Sequence, residues 1–155
     1  MVNPDATSDS FAEWFEVWNA ASFPIPLAGL VVREDVSDTV AVVTLDTADV
    51  LAPGAYYVLG KSTDTSVNGG VAVQYLLPAS LSLTNTGDYL SLETSSGLIL
   101  DSTQWGEAPQ GASLSLDPEF MDASSNDDDS HYCAAVTLLA SGDTGTPGAS
   151  NDACP

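Results

Sequence analysis

The sequence predicts an all-β fold in which two sheets pack face to face as a sandwich. Three observations predict it. Short runs rich in valine, leucine, threonine and tyrosine recur between Gly, Pro, Asn and Asp turns. Leu81 to Trp105 alternates apolar and polar residues with a two-residue period. No stretch keeps a helical period over several turns, although Phe11-Ala12-Glu13 can start a weak one. At 155 residues the chain is long enough to bury one core, and it reads as a single domain over 1–155. The apolar fraction of 44% is too high for a disordered chain.

The elements follow in order. Met1 to Ser10 is turn-rich and carries the end of a first strand. Trp14 to Trp18 is a strand with Phe15 and Val17 on one face and Trp14, Glu16 and Trp18 on the other. Large residues on both faces predict cover from both sides. Phe23-Pro24-Ile25-Pro26 cannot be a central strand, because two prolines remove ladder donors. Leu30 to Arg33 and Val40 to Leu45 read as strands around an acidic turn, Glu34 to Asp38. Pro53-Gly54 turns the chain into a strand over Ala55 to Leu59.

Beyond the polar loop Asp64 to Gly70, a strand is expected over Val71 to Leu77. A meander is then expected through Leu81/Leu83, Leu90/Leu92 and Leu98/Leu100, turning at Asn85-Thr86-Gly87-Asp88 and Ser95-Ser96-Gly97. Ala112 to Leu116 and His131 to Leu139 complete the strands. They flank an acidic loop, 117–130, and precede a glycine-rich tail, 140–155.

Charge narrows the partners. Twenty-two acids face two bases, Arg33 and Lys61, for a net charge of −20. Two bases cannot build the patch that displaces counterions from phosphates, so nucleic acid is excluded. An anionic membrane surface would repel the chain, and no apolar run approaches the ~20 residues of a membrane helix. Cations, basic surfaces and neutral glycans remain as partners, while the simplest use of the acids is solubility. Met1-Val2-Asn3-Pro4 lacks the basic and apolar regions of a signal peptide, which suits a mature or excised module.

Cys133 and Cys154 form no CxxC pair and have no accompanying ligand cluster, which argues against zinc. Two readings stay open. Either they are independent buried thiols, or they bond and close a loop of about 20 residues, worth roughly 3 kcal/mol on the chain-entropy account. A bond implies an oxidising compartment.

Catalytic constellations are sparse. Glu13 and Glu16 resemble a glycosidase acid pair, but an i, i+3 spacing on a strand sends them to opposite faces. A nucleophile triad needs a histidine, and His131 is the only one. No catalytic residue is therefore assigned. Calcium has better material, with oxygen clusters at Asp5-Asp9-Glu13, at Asn126 to Asp129 and at Asp143-Asn151-Asp152; none follows the EF-hand spacing. Asp5, Asp9 and Glu13 are the calcium candidates, and they converge only if the first loop folds back on the strand. Trp14, Trp18 and Trp105 suggest glycan stacking or, as an alternative, core packing, and Tyr56 and Tyr57 point to opposite faces.

Five pieces in order resemble the lamin-tail (intermediate-filament tail) domain of secreted bacterial proteins. They are Glu13 to Asn19, Pro26 to Leu30, Leu51 to Tyr57, Leu83 to Asp88 with Gly97 to Ser102, and the ending of Cys133, Gly142 to Gly148 and Cys154. Leu30 stands where tryptophan is usual, and the first strand is cut at Met1. The resemblance covers nearly the whole chain. It implies an immunoglobulin-like β-sandwich, a bond between Cys133 and Cys154, and an extracellular, cell-surface or periplasmic location. It also implies a non-catalytic binding or spacer module within a larger secreted protein, facing a protein or glycan surface. A calcium-dependent adhesion or carbohydrate-binding module and an accessory domain of a secreted enzyme are the alternative expectations.

Overall fold

The computed structural model describes residues 1–36 and 39–155, and its elements are almost all strands. One helical turn, α1 (Asp9–Ala12), precedes β1 (Trp14–Trp18). Then come β2 (Ile25–Pro26), β3 (Val31–Val36), β4 (Thr39–Thr44), β5 (Val50–Leu51) and β6 (Tyr56–Gly60). The remainder are β7 (Tyr75–Leu76), β8 (Asp88–Glu93), β9 (Ile99–Trp105), β10 (Leu114–Leu116) and β11 (Tyr132–Ala134). Two sheets dominate: β4-β3-β8-β9, antiparallel throughout, and β1-β6-β7, where β6 and β7 run parallel. β2-β5 and β10-β11 are short antiparallel pairs. Pro26 thus sits in a two-residue ladder and Pro24 just before it, as the missing donors require.

Both large sheets contribute to the main core. Val32, Ala41, Val43 and Leu90 from one meet Tyr57 and Leu59 from the other, with Leu27, Leu51 and Leu81 between them. Phe15 and Val17 pack on this side of β1. Trp14 lies on the opposite side in a second cluster with Met1, Val58 and Val71. Cover on both faces of β1, expected from its aromatics, is what the fold provides. The second face is roofed by the C-terminal segment, where a Cβ on Gly145 would sit 3.1 Å from the Trp14 ring.

Four expected elements differ, and in three of them side-chain oxygens explain the change. The strand expected over Val71 to Leu77 shrinks to β7, because the Gln74 side chain accepts the Val58 amide at 2.7 Å. The strand expected over His131 to Leu139 ends at Ala134, since the Asp152 carboxylate captures the amides of Val136 and Thr137 at 2.8 and 3.0 Å. Leu81 to Leu83 is extended but joins no ladder, because the Leu81 amide donates to the Pro78 carbonyl and carboxylates hold those of Ser82 and Leu83. Glu34 and Asp35, expected in a turn, belong to β3; Ser37 and Asp38 lie outside the described residues. The acidic loop 117–130 is wound into 3-10 turns at Pro118–Phe120, Ser125–Asp127 and Asp129–His131.

Cys133 and Cys154 are bonded, with Cα atoms 5.7 Å apart and 21 residues between them in sequence, so the independent-thiol alternative falls. The bond ties β11 to the chain end. Replacing both cysteines by serine is expected to cost about 3 kcal/mol in a denaturant melt. Alkylation of unreduced protein should label no thiol.

Candidate functional site

An apolar cleft of about 510 Å³ opens between the sheets along β1. Phe15 and Val17 form one wall, Leu90 and Leu92 of β8 the floor, and Leu114 and Leu116 of β10 the far wall. Apart from Leu90 these side chains are only half-buried, although they sit where a sandwich core should close. Tyr132 and Asp101 add polar groups at one end: the Tyr132 hydroxyl is 3.1 Å from Thr103 Oγ1 and donates to the Asn126 carbonyl at 3.1 Å. Asn126 donates to both Asp101 oxygens at 3.0 and 3.1 Å. Burial raises the Asp101 pKa, opposed by those hydrogen bonds.

A second set of acids lies around the segment that crosses from β7 to β8. Leu83 N–H donates to Glu13 Oε2 at 3.2 Å, and Thr84 N–H to Asp88 Oδ2 at 2.8 Å. The Ser82 amide hydrogen-bonds Glu34, and Lys61 Nζ reaches the Leu81 carbonyl. Glu13, Glu34 and Asp88 are all nearly inaccessible to solvent. Burial pushes Glu13 up to about 7, opposed by the Leu83 hydrogen bond and by Lys61. Glu34 and Asp88 are also raised, chiefly by burial.

Glu13 and Glu16 are held apart, as the strand period requires. Glu13 reaches into the main core, whereas Glu16 accepts the Gly148 amide at 2.8 Å on the other face and is pushed by burial to about 7. The calcium candidates are not gathered into a site. Asp5 accepts from Gln110 at 2.7 Å, Asp9 from Asn85 at 3.4 Å, and Glu13 from Leu83. Among the described residues no group of three or more His, Cys, Asp or Glu side chains is placed to hold a metal. The physical reason is that these oxygens already serve donors from other parts of the chain. Asp143 likewise accepts from the distant Asp5 and Ala6, and Asp128 from its neighbour Ser130, so the oxygens of the other two clusters are also taken up by protein donors.

The tryptophans do not make a stacking platform: Trp14 and Trp105 are buried, and Trp18 pairs with Tyr56 at 6.4 Å. His131 stacks on Phe120 at 3.7 Å and its Nδ1 is 2.7 Å from the Ser125 carbonyl. Glu34, Asp88, Asp101 and Tyr132 were not singled out by sequence reasoning. An acid at an inward position of an alternating strand, as Asp88 and Glu34 are, was the available signal.

No protein-family model and no curated protein sequence matches the chain. Among the described residues, no helix is long and apolar enough to cross a membrane.

Stability should depend on pH through three buried groups. Glu13 and Glu16 bind protons more tightly folded than unfolded, so their contribution is full below 4.5 and is lost as pH rises through about 7. The Met1 amine is pushed down to about 5 by burial; its contribution is full above 8.0 and is lost as pH falls through about 5. Two carboxyls outweigh one amine, so Tm should fall as pH rises from about 5 to 7. The Glu13→Gln, Glu16→Gln double variant should flatten that slope in calorimetry; an unchanged slope would assign it elsewhere.

Proposed function

We propose that this chain is a non-catalytic extracellular or cell-surface module that binds or spaces, built on a lamin-tail-like, immunoglobulin-like sandwich within a larger secreted protein. One observation carries the non-catalytic part. Glu13, Glu16, Glu34, Asp88 and Asp101 all have raised pKa values, the property an acid-base enzyme needs, yet each accepts a backbone amide. For Glu13, Glu34 and Asp88 the environment fits cross-bracing: removing one would release the crossing segment Ser82 to Thr84 rather than expose a reactive group.

The disulfide between Cys133 and Cys154 supports an oxidising location. The order of motifs from Glu13 to Cys154 supports the family. With a net charge of −20, binding should favour basic or neutral surfaces and weaken with salt when the partner is basic.

Purified protein is expected to turn over no chromogenic glycoside or ester above the buffer rate, and Glu13→Gln should lower Tm without altering that background. Turnover abolished by Glu13→Gln would refute the non-catalytic reading. Excess EDTA should leave Tm unchanged, and a fall reversed by calcium would replace it with calcium-dependent adhesion.

A further inference from the structure

The antiparallel sheet ends on a strand with one open side. β4 is the outermost strand of β4-β3-β8-β9, and its ladder with β3 stays in register from Val31↔Thr44 to Val36↔Thr39. Leu45 N–H donates to the Leu30 carbonyl at 2.8 Å and Gly29 N–H to the Leu45 carbonyl at 3.0 Å, so odd-numbered residues of this strand turn their backbone groups toward β3. Even-numbered residues turn theirs outward. Among the described residues, the N–H groups of Val40, Val42 and Thr44 and the carbonyls of Val40 and Val42 have no hydrogen-bond partner. The open run stops at Thr44, where the Tyr75 hydroxyl donates to the Thr44 carbonyl at 3.4 Å and accepts the Asp46 amide at 3.5 Å.

Folded proteins blunt such edges with proline, charge, bulges or a covering loop. The opposite edge of this sheet has a cover. The acidic loop lies along β9, with Asn126 bonded to Asp101 and the Tyr132 hydroxyl beside Thr103. β4 has none of these devices. Its sequence, Thr-Val-Ala-Val-Val-Thr, holds no proline, glycine or charge, and no bulge interrupts its pairing. Val40 and Val42 are 50% and 52% exposed on the outer face, so an apolar stripe runs beside the open amides. Backbone groups and side chains together form a template for one more strand.

Charge selects the occupant. Asp35 stands beside Val40 on β3, and Asp46 lies two residues beyond Thr44; both are exposed, one at each end of the open run. Arg33 shares this outer face, but Glu93 holds its guanidinium at 2.8 Å. A second copy of the chain would bring a further net charge of −20 to the same edge, which opposes self-pairing. We propose that β4 accepts a fifth, antiparallel strand from a basic partner protein, with apolar residues beside Val42 and Lys or Arg reaching Asp35 and Asp46. The inference rests on the reading of the chain as a binding module, and it names the surface and the chemistry of the partner.

The test is amide exchange of the full chain with the synthetic peptide Lys-Thr-Val-Thr-Val-Thr-Lys. Its valines face Val42 and Thr44 when its lysines stand opposite Val40 and Asp46. Millimolar peptide should slow exchange at Val42 and Thr44 roughly tenfold, and added salt should reduce the effect. Glutamate in place of both lysines should abolish it. Val42→Pro removes an outward N–H and leaves the β3 ladder intact, so protection of Thr44 should vanish with little change in Tm. Val42→Lys, which keeps the backbone donor, should weaken protection by repelling the peptide. Unchanged exchange with the lysine peptide, or equal protection from the glutamate peptide, would overturn the proposal. Protection that is present without peptide and lost on dilution would assign the edge to a second copy and overturn it too. Peptide binding in fluorescence anisotropy without protection at these amides would sink the edge while leaving the binding reading in place.

Discussion

The structure depends on side-chain carboxylates taking backbone amides that no ladder can reach. The crossing segment Ser82 to Thr84 shows it best: Glu34, Glu13 and Asp88 each hold one of three consecutive amides. An unsatisfied buried amide costs about 1–3 kcal/mol, and a hydrogen bond to a charged group contributes a comparable amount. Desolvating the carboxylate opposes this. At Glu13 desolvation is the larger effect, which is why its proton is held up to about 7. The brace therefore sets position more than it adds stability, and it joins the β1 end of one sheet to β3 and β8 of the other.

The same device organises the C-terminus. Trp14, Glu16 and Trp18 face away from the main core and need a cover, which no strand supplies. Glu16 draws in Gly148, Asp152 draws in Val136 and Thr137, and Asp117 accepts the Cys154 amide at 2.9 Å. The disulfide then fixes the end that these acceptors have positioned. Gly145 is needed for close approach, since a side chain there would press on both Trp14 and Ser113. Much of the chain's acidity is thus at work inside the fold, in a role separate from solubility.

How far the sequence could be read follows from this. Strands whose side chains alternate and whose amides pair in ladders were legible: β1, β4, β6, β8 and β9 all lie where the two-residue period places them. Glu13 and Glu16 were rightly separated by that period. What periodicity could not show is an amide captured by a remote side chain. Leu81 to Leu83 alternates like its neighbours and is not a ladder strand, because Glu13 lies 70 residues away in sequence. Asp5, Asp9 and Glu13 looked like cation ligands for the related reason that donor partners such as Gln110 and Asn85 are distant in the chain. The cleft had no sequence signal, since its walls come from β1, β8 and β10, which are distant in the chain.

The most direct test of the account is residue-resolved amide exchange at Ser82, Leu83 and Thr84. Carboxylate bracing predicts protection at these three amides close to that of the paired amides of β3 and β8, with Asp88→Ala selectively releasing Thr84. Exchange at all three as fast as in the exposed loop around Ser124, in the unmodified protein, would contradict it.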